Sequence, residues 1–255
     1  MLTYSIKSKA DVMKISHAYK ISIICVMFVI VLLPYFDLAG ENASISVEQS
    51  KKIINKIYEK YIPVYKKYTG IESLRKIDII EYNPNSITLI NRSHVSVIRK
   101  DYFYKKPEIT ILRYLIDDDL KRPSDYQSRE IEPYHLVLDE QGKNLYLTRI
   151  MQSVTVSNQK CYQMQVTPRE KTPEHFEGYM YFRMDSLDLY LIEGTLGNLP
   201  YSFTEYSMKQ YFDHLIDLPV LKSGSCIRRM YIPVLQPDRR FVFSVKVITN
   251  KLLVD

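Results

Sequence analysis

The stretch RKDYFYKKPEITILRYLIDDD, residues 99–119, carries the strongest signal for the fold. Residues 109–116 have the composition of a β-strand, yet strict two-residue alternation leaves both of its faces apolar. One face would carry Ile109, Ile111 and Leu115, and the other Leu112, Tyr114 and Ile116. An antiparallel sheet with a single core usually has a polar second face. We therefore expect something to cover the second face.

The same doubled pattern occurs in residues 178–184 and 187–192. Two explanations remain open: either helices cover the second face fully, giving an ordinary packed α+β domain, or the sheet curves around a cavity that helices fill in part. The 22 tyrosines and nine methionines suit a cavity wall that adapts to a flexible ligand, and they suit a plain core as well.

Strand patterns follow one another from Gly70 almost to the end of the chain. We expect strands near residues 74–82, 86–92, 94–104, 109–116, 134–139, 144–150, 152–157, 160–167, 178–184, 187–195, 227–234 and 241–249. Short strands at hairpin spacing predict an antiparallel, meandering sheet. A helix is predicted at 207–219, and 121–133 is predicted to be a mobile loop.

Residues 46–70 predict an amphipathic helix before the sheet. Ser46 and Gln49 have the spacing of a capping box, and Pro63 should kink or break the helix. Apolar residues recur every three or four positions, among them Ile57, Tyr61 and Tyr65. We expect these three to form a lid over the sheet.

The first 43 residues have the pattern of a targeting segment. Four lysines precede the apolar run 21–36, which is shorter than the roughly 20 residues of a spanning helix and contains Pro34. The segment is interpreted as a cleaved signal peptide or an uncleaved inner-membrane anchor. Either interpretation predicts export of a single domain, residues 44–255, to the periplasm.

Cys161 and Cys226 are the two cysteines of that domain. In an oxidising compartment they are a disulfide candidate, although their spacing cannot show whether they meet. No histidine or cysteine stands near them at metal-ligand spacing, so no metal site is predicted.

No catalytic motif is visible in the sequence. The five histidines form no metal-ligating pair, and there is no phosphate-binding loop, nucleophile elbow or recognisable carboxylate pair. A net charge of +6 without a basic cluster indicates no nucleic-acid partner. We expect a non-enzymatic protein without a cofactor.

Several local patterns are similar to those of a known family. The segment YFYKKPEITILRYL (102–115) has a lysine-proline corner that leads into a strand. Residues 166–168, VTP, end a strand, and Tyr179–Glu193 form an aromatic-rich hairpin with an internal aspartate. The tail 226–255 contains an aromatic-x-Pro segment followed by a strand and an asparagine. Residues 47–255 thus resemble the LolA-like and LppX-like outer-membrane lipoprotein-sorting group, the lipoprotein-carrier superfamily.

That resemblance implies a strongly curved antiparallel half-barrel with helices in its concave mouth. It also implies binding of lipid or lipoprotein acyl chains in a hydrophobic cavity, for sorting or transport to the outer membrane. In some members an arginine inside the cavity holds the closed state, and the sequence singles out no arginine for that role. The alternative is a non-catalytic interaction module of the cell envelope with a filled core and an envelope protein as partner.

The strand patterns select a set of candidate cavity-wall residues for the acyl-chain site. They are Ile111, Leu115, Met180, Phe182, Leu189 and Leu191.

Overall fold

The strand patterns after Gly70 fold into one antiparallel sheet. The structure, a computed structural model, describes residues 45–85, 88–103, 106–125, 137–232 and 236–254. The strands are β1 (Gly70–Asn83), β2 (Thr88–Tyr102), β3 (Glu108–Ile116), β4 (Asp119–Leu120), β5 (Tyr146–Val156), β6 (Gln159–Pro168), β7 (Phe176–Arg183), β8 (Leu189–Leu196), β9 (Phe203–Leu215), β10 (Leu218–Ile232) and β11 (Gln236–Leu253). The helices are α1 (Val47–Lys67), α2 (Gly142–Leu145) and a 3₁₀ turn at Pro123–Asp125.

Neighbouring strands in the sheet follow the order β4-β3-β2-β1-β11-β10-β9-β8-β7-β6-β5. The last strand, β11, pairs with the first, β1, so that Gly70 lies opposite Leu253. The two-residue strand β4 forms one edge and β5 forms the other, and the sheet is therefore open. β-Bulges interrupt most strand pairs, and each bulge bends and twists the sheet. An α+β fold with a large, curved antiparallel sheet is thus confirmed.

A bulge also explains the doubled apolar pattern of β3. In the pairing of β2 with β3, Val97 lies opposite Ile111 and Ser96 opposite Arg113, so Leu112 is the extra residue. The bulge reverses the alternation, and Ile109, Ile111 and Tyr114 all pack into one hydrophobic cluster. Leu112 is 51% exposed. The apolar residues on either side of the bulge therefore share one face.

A second bulge acts on β8. Phe182 of β7 pairs with Leu189 and Tyr181 pairs with Leu191, which leaves Tyr190 as the extra residue. Leu189 consequently packs on the same face as Ile192, in the main core, whereas Leu191 lies on the opposite face. Tyr181 and Cys161 surround Leu191 there.

The helix α1 begins with the predicted capping box. The Ser46 hydroxyl accepts a hydrogen bond from the Gln49 backbone N–H at 3.2 Å, and the Gln49 side chain accepts from the Ser46 N–H at 3.2 Å. The helix continues through Pro63 to Lys67, so the predicted break does not occur.

The apolar side of α1 packs on one face of the sheet, which we call the inner face. Its main core lies between the helix and strands β5 to β10, with Ile57 and Tyr61 fully buried. A second cluster continues on the inner face of β1, β2, β3 and β11, around Val97 and Phe243.

Polar contacts fix α1 to the sheet at two places. The Tyr61 hydroxyl accepts from the Leu189 N–H at 2.8 Å and lies 3.2 Å from the Leu187 carbonyl oxygen. Next to it, Lys60 forms an ion pair with Asp188. Near the start of the helix, the Ser50 hydroxyl accepts from the Ile150 N–H at 2.8 Å, at the bulge of β5. These bonds satisfy backbone N–H groups of the sheet.

The helix predicted at 207–219 is wrong: these residues belong to the β9–β10 hairpin. Tyr206, Met208, Gln210 and Phe212 alternate along the inner face of β9, and the turn at residues 216–217 leads directly into β10. Short apolar stretches fit helical and strand periods alike, and the pairing partners on both sides decide for the strand.

Some predicted strand bounds also change. Residues 88–102 form one strand and 146–156 another, where two were predicted in each case. Ser93 pairs with Ile79 and Ile116 without interruption, and the bulge at Met151 does not end β5. Residues 137–139 form a bend in which the Asp139 carboxylate accepts from the Gly142 N–H at 2.6 Å. The rest of the predicted 134–139 strand, the targeting segment 1–43, and residues 126–133 of the predicted loop lie outside the described residues.

Cys161 and Cys226 are free thiols, so the candidate disulfide is not formed. Their strands β6 and β10 are four steps apart in the sheet, about 19 Å measured along it. Cys161 also packs on the outer face, opposite to α1, while Cys226 contacts the inner-face clusters. A disulfide needs Cα atoms within about 7 Å.

In the part of the chain that the structure describes, we find no helix with the length and hydropathy needed to cross a membrane.

The bonds of the Tyr61 hydroxyl predict a stability loss for Tyr61→Phe. Removing the hydroxyl leaves the buried Leu189 N–H without an acceptor, which should lower the free energy of unfolding by about 1–3 kcal/mol. Urea denaturation measures this loss. Tyr201→Phe, at a side chain that is 93% exposed, is the matched control and should change stability by less than about 0.5 kcal/mol. Equal effects for the two variants would contradict the anchoring role.

A glycine pair between β7 and β8 predicts a second loss. Gly178 and Gly194 are direct partners, and a Cβ at Gly194 would overlap the Glu177 carbonyl and lie 2.7 Å from the Phe176 ring. Gly194→Ala should therefore cost about 1–3 kcal/mol in thermal or urea unfolding. Gly224→Ala, where the nearest atom would be 3.1 Å away, should cost clearly less. A larger loss at Gly224 would show that the contact is not the cause.

Candidate functional site

A cavity of about 200 Å³ lies between the C-terminal part of α1 and the inner face of the sheet. One wall comes from β7, β8 and β9, through Phe176, Met180, Leu189, Ile192, Met208 and Phe212. The facing wall includes Tyr65 of α1, Ile71 of β1, and Phe103, Val137 and Leu138. Most of the lining is therefore apolar and comes from both halves of the sheet.

The ring of Tyr65 forms the helix side of the cavity. It meets the Phe103 ring edge-on, with centroids 4.9 Å apart. Such an edge-to-face pair is a favoured aromatic arrangement. Both side chains are buried and both line the cavity.

One corner of the cavity is ionic, with Arg75, Arg99 and Asp101 in its lining. Arg75 forms an ion pair with Asp101, and Arg99 Nε donates to Asp101 Oδ1 at 2.6 Å. Arg75 Nε also donates to the Ser73 hydroxyl at 2.8 Å. Both arginine side chains are only 4% exposed. The cavity thus combines an apolar body with a fixed polar corner.

The pKa of Asp101 reflects this pairing. Burial by itself would raise it, but the charges and hydrogen bonds of Arg75 and Arg99 hold the pKa of this carboxyl below its ordinary value of 3.8. The carboxylate is consequently ionised at neutral pH and serves as the shared counter-ion of both arginines.

The described residues contain no cluster of three or more potential metal ligands. Burial raises the pKa of the Cys161 thiol to about 11, which makes it a poor nucleophile at neutral pH. Burial likewise raises the pKa of Tyr146 to about 12. Neither group is prepared for covalent chemistry, whereas the cavity is suited to holding an apolar molecule.

The structure brings part of the predicted site together. Met180 and Leu189 line the cavity, and so does Tyr65. Phe182 lies on the same face but packs against Tyr61, with ring centroids 6.2 Å apart. Ile57 is buried beside them.

Three predicted wall residues lie elsewhere. Leu191 is on the outer face with Cys161, and Leu115 pairs with His94, on the face opposite to Val95 and Val97. These two assignments are wrong because the bulges in β8 and β3 reverse the alternation. Ile111 is on the inner face, in the second cluster, and is not part of the cavity lining.

The buried arginines of the inner face were not predicted from the sequence. By strand alternation, Arg75 lies on the same face of β1 as Ile77 and Ile79. Arg99 likewise lies on the same face of β2 as Val95 and Val97. The burial of these two arginines could therefore have been predicted, because each stands at a core position of an alternating strand. Arg228 of β10, also buried on the inner face, had no comparable pattern around it.

The comparisons with known proteins give a structural likeness alone. No family model and no curated protein matches the chain. A LolA superfamily protein from Nitrosomonas europaea matches with 11% identity over 81% of this chain and 94% of that one, at a TM-score of 0.40. An outer membrane lipoprotein-sorting protein domain from Vibrio parahaemolyticus matches with 8% identity over 81% and 93%, at 0.39.

A DUF1329 family protein from Desulfovibrio piger is similar to the same extent, with 9% identity over 81% and 93% and a TM-score of 0.41. The matches thus include LolA superfamily and lipoprotein-sorting structures, the group that the sequence resembles. At these identities and TM-scores the likeness says nothing about the ligand or partner of this chain.

The ionic corner predicts a pH-dependent stability loss for Asp101→Asn. Near neutral pH the variant leaves two buried arginines without their carboxylate and should lose about 3 kcal/mol of unfolding free energy. The pKa of Asp101 is lower in the folded protein than in the unfolded chain. The stabilisation by its carboxylate is therefore complete above the ordinary pKa of 3.8, and it is lost as the pH falls through the folded-state pKa. The difference between wild type and variant should shrink accordingly.

Urea unfolding at neutral pH and at several pH values below about 4 measures this change. Asp213→Asn is the control, because Asp213 is 63% exposed and lies 3.6 Å from Lys222, a surface pair worth little. A difference between wild type and Asp101→Asn that stays constant over the whole pH range would contradict the assignment.

Proposed function

We propose that this chain is an exported cell-envelope protein that binds an acyl chain of a lipid or lipoprotein. The single observation that carries the proposal is the apolar cavity between α1 and the inner face of the sheet. In this proposal the curved sheet is a half-barrel, α1 covers its mouth, and Tyr65 is the part of the lid that touches the ligand.

The energetics favour a hydrocarbon ligand. Each methylene removed from water contributes about 0.8 kcal/mol, and the lining offers mainly carbon surface. Met180 and Met208 are unbranched and adapt to the shape of a flexible chain. No described cluster supports a reaction on a bound molecule, so we propose binding without catalysis.

The volume of the cavity limits the size of the ligand that it can hold. At about 200 Å³ the cavity is smaller than the roughly 300–1,000 Å³ of usual small-molecule sites. It suits one short acyl chain or the end of a longer one. A second chain would require α1 to move, and the bonds of Lys60 and Tyr61 to the start of β8 resist that movement.

Sorting or transport to the outer membrane is the role that we propose for this binding. It is supported by the targeting pattern of residues 1–43 and by the resemblance of residues 47–255, both properties of the sequence. The alternative, an envelope interaction module without a ligand, predicts that the cavity stays empty.

A cavity-filling variant tests acyl-chain binding. Leu221 lines the cavity, and Leu221→Phe should exclude about one methylene of a bound fatty acid, which corresponds to about fourfold weaker binding. Native mass spectrometry of the gently purified domain, followed by calorimetric titration with decanoic acid, measures co-purified lipid and affinity. Circular dichroism checks that the variant is folded.

Leu147→Phe is the matched control, because Leu147 lies in β5 and is 51% exposed. It should bind decanoic acid as wild type does. A clean apo mass together with no measurable binding of decanoic acid to wild type would refute the carrier proposal and favour the interaction module.

A further inference from the structure

Arg228 is a buried cation on the inner face of β10. Its side chain is 2% exposed, and it is among the largest fully buried side chains of the described chain. Tyr206 of β9 and Phe241 of β11 are its direct neighbours in the sheet. The position is therefore in the middle of the sheet, far from both edges.

Aromatic rings surround the guanidinium. Its central carbon lies 4.4 Å from the ring centroid of Phe243 and 5.9 Å from those of Phe203 and Tyr206. These distances fit cation–π contacts, which offset part of the cost of removing the charge from water. The rings attract a cation but accept no strong hydrogen bonds from its N–H groups.

Among the described residues, Arg228 has no acidic partner within ion-pair distance, and its buried Nε and Nη1 find no hydrogen-bond acceptor. The neighbouring Arg229 shows the contrast, because it lies on the other face and donates from Nε to both Asp238 oxygens at 3.0 and 3.1 Å. A buried charge is normally paired. Arg228 thus has donor capacity left for an anion.

A small cavity of about 30 Å³ borders Arg228. Met208, Gln210 and Leu221 line both this cavity and the larger one. The two spaces are therefore adjacent along the inner face. The larger space is mainly apolar, and the buried side chain of Arg228 forms part of the wall of the smaller one.

We propose that Arg228 binds the carboxylate of a single-chain fatty acid whose hydrocarbon tail occupies the larger cavity. The inference rests on the proposed acyl-chain binding and adds the chemical class of the ligand. A guanidinium–carboxylate contact is a charge-assisted hydrogen bond and is among the strong ones. The small volume beside Arg228 suits a carboxylate better than a bulkier phosphodiester head group.

The test compares two ligands with ten carbons each, one with a charged carboxylate head group and one with an uncharged hydroxyl. Calorimetric titration of wild type at neutral pH with decanoic acid and with decan-1-ol should show about tenfold tighter binding of the acid, as expected for one charge-assisted contact. In Arg228→Gln this preference should fall to about twofold or less, while decan-1-ol binds as it does to wild type. Retained decan-1-ol binding also shows that the variant is folded and its cavity intact.

Arg229→Gln is the matched control: it removes a neighbouring arginine from the other face and should keep the full preference for the acid. Sodium acetate, a carboxylate without a tail, should neither bind measurably nor raise the melting temperature through Arg228. If acetate alone stabilises wild type but not Arg228→Gln, the site is one for a small ion and the proposal is overturned.

The remaining outcomes separate the two proposals. Equal affinity of wild type for the acid and the alcohol, or an undiminished preference in Arg228→Gln, overturns the role of Arg228 and leaves acyl-chain binding intact. Binding of neither ligand to wild type overturns both. The wild-type comparison does not depend on any variant, and equal affinity for the two ligands overturns the role of Arg228 even if Arg228→Gln does not fold.

Discussion

The pairing of β11 with β1 is the constraint on which the rest of this structure depends. It joins the N-terminal group β1–β4 to the meander β5–β11, although Gly70 and Leu253 stand near opposite ends of the described chain. The cavity needs both groups, because Ile71 and the ionic corner come from the first and Met180 and Leu189 from the second. Contacts so distant in sequence cost loop entropy before they contribute, so the site forms with the complete sheet.

The helix α1 stabilises the sheet by satisfying groups that the sheet cannot satisfy alone. Tyr61 accepts from the Leu189 N–H at the start of β8, and Ser50 accepts from the Ile150 N–H at the bulge of β5. A buried N–H without a partner is costly, so these hydrogen bonds hold the helix in one position on the sheet. They fix the middle and the start of the helix, while its later residue Tyr65 faces the cavity. The same element thus holds the fold and borders the site.

Buried arginines give the inner face its chemical character. Arg75 and Arg99 share the carboxylate of Asp101 as their counter-ion, whereas aromatic rings surround Arg228. In the first arrangement each cation has a carboxylate beside it. The second lacks a described anion and is consequently the place where a ligand's charge would contribute most.

The features that could be predicted from the sequence alone are those that depend on interactions between residues close together in the chain. The Ser46–Gln49 capping box, the amphipathic stripe of α1 and most strands could be predicted, since each depends on residues a few positions apart. Only the tertiary structure decided which face each strand residue occupies. One extra residue at Leu112 and one at Tyr190 move Leu115 and Leu191 away from the inner face.

The same limit explains the other differences. Residues 207–219 fit a helix and a strand equally well until β8 and β10 supply hydrogen-bond partners to β9. The sequence spacing of Cys161 and Cys226 left a disulfide between them open. The strand order of the sheet keeps the two cysteines apart. The cavity likewise exists because strands distant in sequence curve around one space, a property of backbone pairing that no single segment contains.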